Sequence, residues 1–154
     1  MDSEIIPVLL TVTAASRDEQ GRTEDAVQLR MPGTLEHRTD TWLLHYDETL
    51  EDDGDHTTVT HSVHLMIKPG HVTMLRKGPY SMMTVLEHGK RYEGVYHTPY
   101  GDMDMAIYTT RLFSVLGADH GTLKVEYQLD INGGFSSMRK MTLEYGTEER
   151  MKPC

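Results

Sequence analysis

The sequence predicts an all-β fold: a single antiparallel meander of about 8–10 strands, closed into a barrel. Three observations carry this reading. Short runs of alternating apolar and polar residues follow one another along the whole chain. Turns containing Gly and Pro separate them, among them Pro69-Gly70, His88-Gly89, Pro99-Tyr100-Gly101 and Asn132-Gly133-Gly134. No segment carries a helical period. A meander of this length must hide its edges, and closure into a ring hides them most completely.

The strands can be justified in order. Ile6, Val8, Leu10 and Val12 alternate through the first run, with Pro7 near its start, where a strand tolerates proline. A polar turn around Gly21 leads to a second run with Val27, Leu29 and Met31 in phase, which Pro32-Gly33 is expected to end. The third, over residues 34–48, sets Trp42, Leu44, Tyr46 and Glu48 on one face. An acidic loop with an Asp53-Gly54 turn signal joins it to the fourth, where Val59, His61, Val63, Leu65 and Ile67 share a face. Val72, Met74 and Arg76 are in phase on the fifth. The sixth covers residues 80–87 and the seventh 90–98. On the eighth, Met103, Met105, Ile107, Thr109, Arg111, Phe113 and Val115 are expected on one face. Leu123, Val125, Tyr127, Leu129 and Ile131 alternate strictly on the ninth. Asn132-Gly133-Gly134 is the strongest hairpin signal, and Met141, Leu143 and Tyr145 share a side of the tenth strand.

Composition bounds the function. The 154 residues suit one domain, 1–154, with 38% hydrophobic and 25% charged residues. A net charge of -9 argues against a nucleic-acid binder, which needs a basic face. The lone Cys154 excludes an internal disulfide and a CxxC metal or redox pair. The start, Met-Asp-Ser-Glu, lacks the basic region of a signal peptide, and no run has the length of a membrane helix, so a cytoplasmic protein is expected. Nine histidines invite a metal, but their spacing converges nowhere and they read as scattered and mostly exposed; no metal and no cofactor is expected. Ser81 has no nucleophile elbow and no phosphate-binding Gly loop is present, so no catalytic residue is assigned.

The polar residues among apolar neighbours are more informative. Arg76 shares a face with Val72 and Met74, and Glu48 with Trp42 and Leu44. If those faces point inward, each buried charge needs a partner, which suggests an Arg76–Glu48 pair extended by the hydroxyls of Tyr46, Tyr96 and Thr98. Arg76, Glu48, Tyr46, Ser81, Tyr96, Thr98 and Tyr100 are therefore the candidate ligand-binding residues. Two functions fit them. One is a barrel that binds a small, anionic molecule at its mouth, with Arg76 as anchor. The other is a structural or protein-interaction module whose barrel is filled by its own side chains. Exposed strand edges would allow a homodimer.

Tyr46-x-Glu48, Arg76-x-Gly78-x-x-Ser81-x-Met83, Tyr96-x-Thr98-x-Tyr100-Gly101 with Thr109, and Tyr127-x-Leu129 together carry a family resemblance. From Val8 to about Leu143 the chain resembles the YwiB-like family of small bacterial proteins, a family of unknown function. The resemblance implies a calycin-like, lipocalin-related β-barrel and implies no activity.

Overall fold

The computed structural model describes residues 5–18, 20–51 and 58–147. Ten strands make up the fold: β1 (Ile5–Arg17), β2 (Thr23–Arg38), β3 (Thr41–Glu51), β4 (Thr58–Lys68), β5 (His71–Lys77), β6 (Met82–Leu86), β7 (Arg91–Thr98), β8 (Gly101–Leu116), β9 (His120–Ile131) and β10 (Gly134–Gly146). They form one antiparallel sheet in the order β6-β5-β4-β3-β2-β1-β10-β9-β8-β7. Every neighbour in that order is also a neighbour in sequence, apart from β1 beside β10. The ring closes where β6 meets β7, through a bridge in which Ser81 and His97 exchange both backbone hydrogen bonds at 2.9 Å. The fold is thus an all-β, nearly closed antiparallel barrel, and closure leaves few strand edges open.

The two ends of the barrel differ. At the end holding the β2–β3, β4–β5, β6–β7 and β8–β9 turns, the interior is packed by Leu35, Leu44, Leu65, Ile67, Leu86 and Leu143, all under 2% exposed. Tyr145 donates to Gly117 O at 2.6 Å and accepts from Gly117 N at 3.2 Å, which pins the β8–β9 turn over that floor. Trp42 stacks on His37 with ring centroids 3.7 Å apart. At the other end β2 and β3 part: they pair only from Gly33–Tyr46 to Arg38–Thr41. Among the described residues the first half of β2 keeps only β1 as a partner, and the last residues of β3 keep only β4.

Three expectations about the strands need correction or placement. Pro32-Gly33 is no turn; β2 runs through it to Arg38, and the chain reverses at Thr39, whose φ is 51°. Pro32 stands just outside the β2–β3 ladder, so its missing N–H removes no bond there. On β8 a bulge between Thr109 and Arg111 adds one residue and exchanges the faces beyond it. Phe113 and Val115 consequently point outward, 49% and 61% exposed, and Leu112 and Leu116 pack on the core in their place. The Asp53-Gly54 turn lies outside the described residues. The hairpin at Asn132-Gly133 forms as expected, with φ of 50° and 85°, the left-handed pair that a two-residue turn requires.

Candidate functional site

Alternation sends Tyr46 and Glu48 inward from β3, Arg76 from β5, Tyr96 from β7, Tyr127 from β9 and Arg139 from β10. All six lie in the half of the barrel away from the packed floor, and they line one interior cavity of about 280 Å³. Apart from Ser16 and Lys140 the other lining residues are apolar, with Met74, Met82, Met105 and Met141 among them. Unbranched methionines fit irregular contents better than branched side chains do.

Arg76 Nη2 lies 3.5 Å from Glu48 Oε1, in a setting where the two side chains are 24% and 9% exposed. Arg76 Nε and Glu48 Oε1 are buried with no hydrogen-bond partner among the described residues. A donor and an acceptor thus lie without hydrogen bonds in the cavity wall, in surroundings where an unmade hydrogen bond is costly. Burial pushes the Tyr46 phenol up to about 12; the Glu48 carboxylate works in the same direction and Arg76 against it. Burial likewise raises Tyr127, while Arg139 and then Arg76 draw it back down. Both guanidinium groups therefore act on the Tyr127 hydroxyl.

The other expected site residues take different places. Ser81 lies outside the cavity lining and closes the β6–β7 seam through its backbone. Thr98 donates its hydroxyl to Gly101 O at 2.7 Å and accepts from Tyr100 N at 3.1 Å, so it holds the β7–β8 turn. Tyr100 is 87% exposed on that turn. The structure brings Arg76, Glu48, Tyr46 and Tyr96 together and leaves Ser81, Thr98 and Tyr100 out of the cavity.

Three side chains at or near the cavity were not selected by sequence reasoning: Tyr127, in phase with Leu129 on β9, Arg139 and His61. Arg139 was two residues before Met141, and so already in phase with the inward side of β10, but nothing in the sequence gave it a partner. Its Nε donates to the buried Ser137 Oγ at 3.1 Å. His61, expected among exposed histidines, is only 3% exposed. It pairs with Glu48 across the β3–β4 ladder and accepts a hydrogen bond from Tyr80 N at 3.2 Å on Nε2. That bond places the ring proton on Nδ1, which has no partner among the described residues. Burial lowers the His61 pKa, Arg76 lowers it further and Glu48 opposes them, so the ring is held neutral.

On the outer face, His45 and His64 stack 4.4 Å apart, and each has Nε2 within 3.1 Å of Ser62 Oγ. Among the described residues, no three His, Cys, Asp or Glu side chains converge as metal ligands would. No described helix is long and apolar enough to cross a membrane.

A polar-anchored cavity in one half of a nearly closed meander defines a calycin-like β-barrel. The chain belongs to the family described as Domain of unknown function (DUF1934), whose model matches residues 11–143. It is similar in structure to the ywiB protein from Bacillus subtilis, known from its crystal structure. That match has a TM-score of 0.75 at 21% identity and covers 93% of this chain and 92% of the other. No curated protein matches the sequence.

Proposed function

We propose that the protein binds a small molecule in the open half of its barrel, with Arg76 and Glu48 as its polar anchor and Tyr46 and Tyr96 beside them. One observation carries the reading: a cavity of about 280 Å³ whose wall holds the Arg76–Glu48 ion pair, in which the guanidinium Nε and the carboxylate Oε1 have no hydrogen-bond partner among the described residues. A barrel that filled itself would have given such groups hydrogen-bond partners. The volume sits near the small end of the range for ligand pockets, about 300–1,000 Å³, so the ligand is a small metabolite.

The test is native mass spectrometry of protein purified from its own host, as wild type, as Arg76→Ala and as Leu29→Trp, which fills the cavity. A retained small molecule that both variants lose, with their circular dichroism unchanged, supports the reading. No retained species in the wild type, together with a lower melting temperature for Arg76→Ala, makes the polar pair structural.

A second reading, an interaction module, is favoured by a different observation. Leu43, Leu75, Met66 and Met83 line a depression on the outer face of β3 to β6, and Met66 and Met83 are 42% and 48% exposed. Sedimentation of the purified protein against Met66→Lys and Met83→Lys variants tests whether that face joins two copies.

A further inference from the structure

We infer that Arg139 reads the charge of the ligand: an organic anion with an apolar body would place its acid group at Arg139 and Tyr127, near the mouth, and a neutral polar group at the Arg76–Glu48 pair. The inference rests on the ligand-binding reading above and extends it to a residue and a ligand class.

The first argument is charge. The formal net charge of the chain is -9. Among the described residues the cavity lining runs the other way, with Arg76 and, at its exposed rim, Arg139 and Lys140 against the carboxylate of Glu48. An acidic protein with surplus cations at one cavity rim concentrates attraction for an anion there and repels it elsewhere.

The second is the location of the surplus. Arg76 is already balanced by Glu48 at 3.5 Å. An acid group brought to Arg76 would also meet the Glu48 carboxylate, which repels it. Arg139 Nε is held by the neutral Ser137 hydroxyl, and no ion pair engages Arg139 among the described residues. The remaining guanidinium N–H groups are left for a planar acid group, which a guanidinium grips in bidentate fashion.

The third is separation. β5 and β10 stand five places apart in a ring of ten strands, so Arg76 and Arg139 face each other from opposite walls. Met82 and Met105 line the walls between them, and Met74 and Met141 line the cavity from the arginines' own strands. One molecule touching both sides needs an acid at one end, a neutral donor–acceptor group such as a hydroxyl at the other, and an apolar body between.

The experiment uses octanoate and its neutral counterpart 1-octanol as probes, titrated by calorimetry into the wild type, Arg139→Gln, Arg139→Lys and Arg76→Gln. We expect the wild type to prefer octanoate, with an affinity that falls as salt is added. Arg139→Gln should weaken octanoate by about tenfold, the scale of a charge-assisted hydrogen bond, and leave octanol within about twofold. Arg139→Lys should recover most of the preference, which a merely structural role would not do. Equal affinities for the two probes in wild type and Arg139→Gln overturn the inference and leave the ligand-binding reading intact. So does loss of the preference in Arg76→Gln alone. Failure of the wild type to bind either probe overturns both.

Discussion

Arg76 Nη2 and Glu48 Oε1 meet at 3.5 Å across an intervening strand. Arg76 is paired in register with Val63 of β4, and Glu48 with His61 of the same strand, so the ion pair crosses β4 on a diagonal. Only the length of arginine lets it reach past one strand to the next. Arg76→Met should therefore strand a nearly buried carboxylate, a loss of about 3 kcal/mol. For a domain of this size that lowers the melting temperature by roughly 6–12 °C. Arg76→Met with Glu48→Leu should return to within about 1 kcal/mol of wild type, since an apolar pair needs no compensating charge. Thermal melts of the two variants decide the point: equal losses would mean the pair is not coupled.

Tyr46 gives the barrel a weakness at high pH. Its pKa rises from 10.0 unfolded to about 12 folded, chiefly through burial. Between those values the folded chain holds a proton that the unfolded chain has lost. The resulting stability is complete below pH 10 and disappears as the pH climbs through 12, and two units correspond to roughly 3 kcal/mol. Tyr127 and Tyr145 are shifted upward as well and add to the same slope. Denaturant titrations from pH 9 to 12 should show a midpoint that falls steadily, with a shallower fall in Tyr46→Phe. Parallel curves for the two proteins would contradict the assignment.

Much of this architecture was legible in the residues. Period-two patterning named the inward faces of β3, β4 and β9, and it is what brought Arg76 and Glu48 to the same interior. Asn132-Gly133 announced its turn because few residues accept positive φ. The errors have physical causes. The bulge at Thr109 inserts a residue that no composition marks, and it sent Phe113 and Val115 to solvent. Thr98 and Tyr100 are polar because they form a turn, and a sequence does not separate a turn hydroxyl from a site hydroxyl. Arg139 shows the opposite gap. Its phase was readable, but its meaning depends on β10 standing across the ring from β5, which only closure establishes.

His61 makes the acid side of the stability profile testable. Its pKa lies below the ordinary 6.5, first through burial, then through Arg76, against Glu48. The unfolded chain therefore takes up a proton before the folded chain does. The stability contribution is complete above pH 6.5 and is lost as the pH falls through the folded pKa. His61→Leu should flatten the stability profile between pH 7 and 5 relative to wild type. Nitrogen-15 NMR at pH 7 should find Nδ1 protonated and Nε2 bare, as the bond from Tyr80 N requires. The reverse tautomer would remove the basis for a neutral buried ring.

Gly33 is the point on which the mouth of the barrel turns. A methyl group there would come within 2.4 Å of Leu10 Cδ1 and 2.6 Å of His45 O. Leu10 is a fully buried core residue and His45 O belongs to the backbone of β3, so neither yields freely. Gly33 is also where β2 begins to pair with β3. Gly33→Ala should cost about 1–3 kcal/mol by overpacking and should act locally, forcing the β2–β3 seam to open further toward the floor. Hydrogen exchange should then speed up at Leu35 and Leu44, a directly paired couple, while Leu123 and Leu143, paired on β9 and β10 beyond β1, keep their protection. Uniformly faster exchange around the barrel would show instead that the ring opens as one unit and that the seam has no independent stability.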